Sequence, residues 1–255
     1  MILNSILILG GTTEARELAA KLDSQHRFRL TLSLAGRTMA PVRQPVPTRV
    51  GGFGGVHGLA QYLQEQDIDL LIDATHPYAA RISTNAVEAA ALVGRPLVAL
   101  RRPGWQQQKG DRWLEVESVE AAVQAPGDEA RTLFLALGRQ ELLPFEQAPQ
   151  HRYVVRSVDP VEPPLALPEV EYITARGPFN EADELSLLTG KGIDMLVCKN
   201  SGGAASYGKI AAARTLGLPV VLIQRPPLPE AMSFQTVDAL LAHVDQAFPP
   251  QERGE

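Results

Sequence analysis

Four reactive side-chain types lie within the six residues from 73 to 78. Asp73, Thr75, His76 and Tyr78 supply a carboxylate, a hydroxyl, an imidazole and a phenol directly after an apolar run. Such groups bind polar ligands and exchange protons, and ligands of α/β sheets bind beyond the carboxyl ends of the strands. The alternative is structural, with His76 as a hydrogen-bonded histidine and Pro77 as the start of a helix. No second set of ligands accompanies the cluster, so we expect no metal site.

The stretch G-G-T-T-E-A at residues 10–15 is a partial dinucleotide-binding motif. In the pattern G-x-G-x-x-G/A, Gly10 is the first glycine and Ala15 is the small last residue, but Thr12 replaces the second glycine. A threonine hydroxyl can donate to a phosphate oxygen, and the helix behind it offers free main-chain N–H groups. The alternative is a tight turn in which Thr12 or Thr13 is the N-cap.

The second predicted strand is followed by Arg37, with neither Asp nor Glu in residues 33–38. NAD sites hold the ribose diol with an acidic residue at this place, whereas an arginine suits the 2′-phosphate of NADP. A guanidinium binds phosphate in a bidentate way. The sequence therefore favours NADPH over NADH, and a solvated surface arginine is the alternative.

Two glycine-rich loops lie in different halves of the chain. In the first, Gly51, Gly52, Gly54 and Gly55 flank Phe53, which could lie against a flat ring, although a mobile surface loop is the alternative. The second is K-N-S-G-G at residues 199–203, which could form an anion-binding nest at a helix start.

Tyr207 and Lys209 follow the second loop at a spacing of two residues. They therefore do not match the Tyr-x-x-x-Lys pair of short-chain dehydrogenases, and a catalytic Tyr-Lys dyad is disfavoured.

Charge and composition restrict the function. The net charge of −5 argues against a protein that coats nucleic acid, so an anionic ligand needs a local basic site. Arginines at the predicted strand ends could form such a basic cleft for a polyanionic ligand: Arg101, Arg102, Arg139, Arg156, Arg176 and Arg225. The single cysteine, Cys198, excludes an intramolecular disulfide. No basic leader precedes an apolar stretch, and no apolar run reaches the roughly 18 residues of a membrane span. We expect a soluble cytoplasmic protein without a nucleic-acid or membrane partner.

Short apolar runs alternate with amphipathic ones, which predicts an α/β fold with mostly parallel sheets. The predicted strands are residues 6–9, 28–34, 70–73, 97–100, 132–137, 153–157, 171–174, 193–198 and 220–223. The predicted helices are residues 13–22, 56–66, 79–93, 119–125, 180–188, 204–216 and 237–248. A Pro- and Gly-containing polar stretch interrupts the alternation at residues 101–117. It predicts two domains, residues 1–104 and 105–255.

Together the motifs G-G-T-T-E-A, D-A-T-H-P-Y-A, R-R-P-G-W and K-N-S-G-G resemble the precorrin-6A reductase family of cobalamin biosynthesis, in the same order and over nearly the whole chain. The resemblance implies two Rossmann-like domains with the active site in the cleft between them. It also implies an oxidoreductase that reduces a carbon-carbon double bond of a polycarboxylated tetrapyrrole, giving precorrin-6B, with a reduced nicotinamide cofactor. Such a substrate is the polyanion that the arginines require.

The resemblance also implies a role for individual residues. The residues expected to bind NADPH are Gly10, Gly11, Thr12, Thr13, Arg37, Gly52, Phe53, Gly54 and Thr75. His76, Tyr78 and Lys209 are the expected catalytic residues, as proton donors or as a cation near the macrocycle, and bound water is an alternative donor. The residues expected to bind the substrate are Arg101, Lys199, Ser201 and Gly202.

Two other functions remain open. A cobalt-precorrin-6A reductase would share the fold and the motifs, and Arg37 does not report whether the macrocycle holds cobalt. A non-catalytic nucleotide-binding redox sensor would use the same phosphate loop, but it would not need the K-N-S-G-G loop. The sequence predicts no oligomeric state.

Overall fold

The computed structural model describes residues 3–36, 38 and 42–249. The chain divides into two compact units: unit 1 contains residues 1–102 and 226–255, and unit 2 contains residues 103–225. The predicted Arg37 lies outside the described residues. One sheet, six-stranded in its described part, forms the centre of each unit, and all neighbouring strands within it are parallel.

Unit 1 has the strand order of a Rossmann fold. Its described strands are β1 (Asn4–Leu9), β2 (Phe28–Leu34), β3 (Thr48–Val50), β4 (Leu70–Asp73), β5 (Leu97–Leu100) and β12 (Ser233–Phe234). Its described helices are α1 (Thr13–Asp23), α2 (Gly55–Glu65), α3 (Ala80–Val93) and α7 (Val237–Ala247). The order β12-β5-β4-β1-β2-β3 corresponds to 3-2-1-4-5-6 read from the other edge, and it reverses between β1 and β4.

Unit 2 repeats this order. Its described strands are β6 (Arg112–Val116), β7 (Thr132–Ala136), β8 (Arg152–Ser157), β9 (Val170–Thr174), β10 (Met195–Lys199) and β11 (Pro219–Ile223). Its described helices are α4 (Val119–Gln124), α5 (Glu181–Gly190) and α6 (Gly208–Leu216). The order is β6-β11-β10-β7-β8-β9, so β7 takes the place that β1 has in unit 1. Two short 3-10 helices, Arg139–Glu141 and Leu143–Gln147, follow β7 where unit 1 has α1.

One strand of each sheet, β6 or β12, lies in the chain beyond the other strands of that sheet, next to a strand of the other unit. In chain order β6 follows β5, yet it pairs with β11 in unit 2, and β12 follows β11, yet it pairs with β5 in unit 1. This corrects the predicted domains, because residues 226–249 belong with the first unit and not with residues 105–225. The physical reason is packing: Leu240 and Val244 of α7 are fully buried in the core that covers one face of the first sheet. The strand β12 has only two residues, too few to show a strand pattern in the sequence.

Alternation along β1 explains why helices cover both faces of its sheet. Ile6 and Ile8 are buried in one apolar cluster with α1 and α7, whereas Leu7 and Leu9 are buried in another with α2 and α3. A parallel sheet that is buried on both faces reads as a continuous apolar run. The predicted fold class is confirmed, as are the strands at residues 28–34, 70–73 and 97–100.

Three described strands were not predicted: β3, β6 and β12. All three are edge strands, and most of their residues are at least partly exposed. The predicted helix at residues 204–216 begins only at Gly208. Among residues 3–36, 38 and 42–249, no helix has the length and apolar character needed to cross a bilayer.

His151 makes the stability of unit 2 depend on pH. It is 2% exposed, its Nδ1 has no hydrogen-bond partner among the described residues, and burial lowers its pKa from the ordinary value of 6.5. The unfolded chain therefore binds a proton that the folded chain rejects, so stability present above about pH 6.5 is lost as the pH falls. We expect the free energy of unfolding in urea to fall less between about pH 7.5 and about pH 5.5 in His151→Phe than in the wild type. The exposed His57→Gln is the control, and equal slopes in all three proteins would contradict the prediction.

Candidate active site

Packing on β2 explains the first glycine of the G-G-T-T turn. Gly10 N donates to Ser33 O at 2.9 Å, and a Cβ on Gly10 would lie 2.7 Å from Leu32 Cδ1. Gly11 differs, because its φ is +110° and nothing lies within 4 Å of the place where its Cβ would be. The turn therefore packs tightly on β2 and leaves open space at Gly11.

Thr12 is the N-cap of α1 and also joins two strand ends. Its Oγ1 accepts from Ala15 N at 3.0 Å and donates to Ala74 O at 3.0 Å. A hydroxyl has only one hydrogen to donate. Thr12 donates it to Ala74 O, so the same hydrogen is not available to a phosphate oxygen. The N-cap alternative is confirmed. The main-chain N–H groups of the first turn of α1, which begins at Thr13, are the groups at this turn that could bind an anion.

An acidic residue in that first turn is paired with a residue of the R-R-P-G-W motif. Arg102 Nη1 donates to Glu14 Oε2 at 2.5 Å, and both side chains are mostly buried. A bare carboxylate at this place would repel a phosphate, and the guanidinium offsets its charge. Sequence reasoning missed Glu14 because its partner lies 88 residues away.

Asp73 shapes the turn after β4. It is 5% exposed, and its Oδ1 accepts from Thr75 N at 3.1 Å and from Thr75 Oγ1 at 2.7 Å. Asp73 thus has a structural role in this turn. It holds Thr75 at the end of β4, beside the point where the strand order reverses.

His76 and Tyr78 lie together in this turn. Tyr78 N donates to His76 Nδ1 at 3.3 Å, so a neutral His76 carries its hydrogen on Nε2. The two rings are 5.6 Å apart between centroids and tilted by 38°, and both residues are partly exposed. The turn therefore offers two proton-donating groups, an imidazole and a phenol.

In the described part of the chain, no group of three or more His, Cys, Asp or Glu side chains could hold a metal ion.

Arg49 fixes the glycine loop around Phe53. Its guanidinium donates to Ser33 Oγ at 2.9 Å, to Gly51 O at 3.0 Å and to Gly52 O at 3.1 Å. It also lies 3.7 Å from the centroid of the Phe53 ring. These contacts argue for an ordered loop, against the mobile alternative. Sequence reasoning missed Arg49, although an arginine two residues before the glycines was a visible signal.

Phe53 is held from a second side as well. Its ring meets Tyr62 of α2 edge-on at 5.2 Å, and the left-handed Gly54 at φ +84° begins that helix. Phe53 is only partly buried. Arg49 and Tyr62 therefore fix the orientation of the Phe53 ring.

In unit 2, the K-N-S-G-G and R-R-P-G-W motifs are bonded to one another. Asn200 Oδ1 accepts from Trp105 N at 2.7 Å, and Asn200 Nδ2 donates to Trp105 O at 3.1 Å. Gly202 has a φ of +67°, and a Cβ there would lie 2.1 Å from Pro103 O. This close approach explains the glycine without a ligand. Two sequence motifs about 95 residues apart thus form one structure.

Arg225 fixes the same loop from the end of β11. Its Nε donates to Asn200 O at 2.8 Å and its Nη2 donates to Ser201 O at 3.0 Å. Arg225 and Asn200 line a small cleft at the carboxyl end of the second sheet, together with Glu115, Leu222 and Gln224. The cleft places Arg225 and the loop at the edge where a ligand of this unit is expected.

Lys199 ends β10 and forms an ion pair with Glu141. The other carboxylate oxygen of Glu141 accepts from Gly138 N at 3.1 Å. The carboxylate thus satisfies a main-chain N–H group at the turn after β7. Lys199 is held in position by a side chain that the sequence analysis did not single out.

Lys209 does not reach the surface. It is 4% exposed, its Nζ donates to Ser206 O at 2.7 Å, and burial lowers its pKa. An amine enclosed in this way does not touch a ligand. The expected catalytic role of Lys209 is therefore corrected to a structural one.

The predicted arginine cleft is also corrected, because several of its members bind protein groups. Arg156 is 7% exposed and paired with the buried Glu184, so it is not available to a ligand. Arg139 lies 3.6 Å from Asp159. Arg101 Nη2 donates to Pro229 O at 2.6 Å, which ties β5 to the returning segment of unit 1. Burial and internal partners, which sequence does not display, account for the difference.

Comparison with known proteins gives one consistent result. The model of the family described as Precorrin-6x reductase CbiJ/CobK matches residues 5–245. The chain is 56% identical over 245 residues to a precorrin-6A reductase of Sinorhizobium sp, covering 96% of this chain and 94% of the relative. A solved structure, CobK precorrin-6A reductase, is 46% identical, with a TM-score of 0.93 and coverage of 98% of this chain and 99% of that chain. A cobalt-precorrin-6A reductase of Priestia megaterium is 26% identical, covering 92% of this chain and 96% of the relative.

The two bonds of Thr12 predict how its variants behave. Thr12→Val should lower the free energy of unfolding by about 1–2 kcal/mol, because the cap of α1 and the bond to Ala74 are both lost. Thr12→Ser keeps the hydroxyl and should lose less than half as much. Urea unfolding measures both values. A Thr12→Val protein of unchanged stability that binds a nicotinamide dinucleotide far more weakly would show that the hydroxyl serves the phosphate instead.

Proposed function

Because the chain belongs to the precorrin-6x reductase CbiJ/CobK family, we propose that it is a precorrin-6A reductase that uses NADPH. The reaction breaks the π bond of one carbon-carbon double bond in the macrocycle and forms two C–H bonds, giving precorrin-6B. One hydrogen arrives as a hydride and the other as a proton, and NADPH is oxidised to NADP⁺. The observation that carries the proposal is the Rossmann strand order of unit 1, with the G-G-T-T and D-A-T-H-P-Y turns on either side of its reversal point.

The turn after β1 fits a dinucleotide. Gly11 leaves open space beside the first turn of α1, where main-chain N–H groups favour a pyrophosphate. Gly52, Phe53 and Gly54 would line the adenosine half, and Arg37 would bind the 2′-phosphate. When bound, NADPH supplies the hydride. The residues around it provide position, charge balance and exclusion of water.

The proton is proposed to come from the turn after β4. His76 can donate a proton from Nε2, and Tyr78 can donate one from its hydroxyl. Thr75, which precedes them in the chain, is held by Asp73. Both donors are partly exposed, so a bound substrate can reach them. Lys199, with Ser201 and Gly202, is proposed to meet the substrate carboxylates. A carboxylate of the substrate would compete with Glu141 for the ammonium of Lys199.

The reaction is tested by incubating the protein with NADPH and precorrin-6A, with and without cobalt in the macrocycle, while nicotinamide absorbance is followed. We expect oxidation of NADPH with the metal-free substrate, since the identity to the precorrin-6A reductase exceeds that to the cobalt-dependent relative. Faster turnover of the cobalt form would favour the cobalt branch. No oxidation with either substrate would exclude the enzyme and leave a nucleotide-binding sensor.

Cofactor choice is tested at Arg37. Arg37→Ala should weaken NADPH binding roughly tenfold or more and leave NADH binding almost unchanged, because only NADPH carries the 2′-phosphate. The matched control is Arg43→Ala, which removes the same charge from an exposed neighbour. Dissociation constants from nicotinamide fluorescence decide the outcome. Equal loss for both cofactors, or no loss, would count against this role of Arg37.

A further inference from the structure

Trp105 is bonded to the 199–203 loop through both its main chain and its ring. The main chain pairs with the Asn200 side chain, as described above, and the indole Nε1 donates to Gly203 O at 2.9 Å. Trp105 is 8% exposed, and its ring also packs against Tyr207 at 5.9 Å between centroids. The indole thus covers the loop from within unit 2.

Lys209 lies over the ring of this indole. Its Nζ is 4.7 Å from the centroid of the Trp105 ring, and it donates to Ser206 O at 2.7 Å. A buried ammonium is costly unless it has partners, and an aromatic face with a carbonyl supplies them. Lys209 is also in the first turn of α6, where the helix dipole disfavours a cation. Helix stability therefore does not explain this lysine.

The charges around Lys209 do not explain it either. Arg156 of β8 and Glu184 of α5 already bind each other, with Nη2 and Oε2 2.9 Å apart. Burial raises the pKa of the Cys198 thiol of β10 to about 11, so this neighbour is neutral at physiological pH. The ammonium is thus an additional buried cation whose identified partners are the Trp105 ring and the Ser206 carbonyl.

We infer that Lys209 is a positioning residue for the substrate loop, acting through Trp105 and Ser206 rather than by contact with the reacting groups. The inference rests on the proposed function, because it assumes that Lys199, Ser201 and Gly202 bind the substrate. The ammonium contacts the indole, the indole Nε1 holds Gly203 O, and the main chain of Trp105 holds the Asn200 side chain. The loop is then pre-organised before a ligand arrives.

Three variants test this inference in a Trp113→Phe background, where Trp105 is the remaining tryptophan. Lys209→Met keeps the volume of the side chain and removes its charge. It should raise the KM for precorrin-6A roughly tenfold, change kcat little and leave NADPH affinity intact. Trp105 emission should also shift to the red, since the loosened indole meets water. Lys209→Arg retains a cation and should stay near the parent in emission. Trp105→Phe keeps a ring without the N–H donor and should raise KM by a smaller factor.

The control is Lys109→Met, which removes an exposed lysine of the same unit and should match the parent in every measurement. Circular dichroism establishes that each variant is folded, and if Lys209→Met does not fold, Lys209→Arg and Trp105→Phe still decide. Unchanged KM together with unchanged emission would overturn the inference, as would a large fall in kcat at constant KM. Emission is measured without substrate, so its shift survives even if precorrin-6A proves not to be reduced.

Discussion

The hydroxyl of Thr12 joins the turn after β1 to the end of β4, at the point of unit 1 where the strand order reverses. It accepts from the first turn of α1 and donates to Ala74 O, at the end of the neighbouring strand β4. In a sheet of this order, the loops after β1 and β4 turn to opposite faces and leave a crevice between them. A side chain that bridges them sets the width of that crevice. A second glycine at this position would permit closer approach of a phosphate but would lose the bridge.

Several charged residues near the strand ends form ion pairs within the protein. Glu14 is neutralised by Arg102, Glu184 by Arg156 and Glu141 by Lys199. Each charge keeps a partner after leaving water, which avoids the cost of an uncompensated buried charge. The pairs also place cations at the strand ends without a large unbalanced field.

Local patterns predicted much of the fold. Buried strands such as β4 are continuous apolar runs, and the N-cap Asn180 was predicted from its helix and accepts from Asp183 N at 2.9 Å. The edge strands β3, β6 and β12 have no such pattern. For the site, sequence could locate the reactive turns, yet it could not show that Lys209 is enclosed or that Arg49 fixes the Phe53 loop. Both facts depend on neighbours distant in the chain or on burial, neither of which residue spacing encodes.

The placement of β6 and β12 affects how the chain can be made and divided. No contiguous stretch encodes unit 1, so a fragment ending at Arg225 would lack β12 and α7 and would leave the edge of β5 unpaired. During synthesis, β12 is made only after all strands of unit 2, so the edge of β5 has no partner strand until then. An open edge invites pairing with other chains. Conversely, a backbone cut in the exposed loop at residues 127–130 would leave two pieces, each holding one strand of the other's sheet.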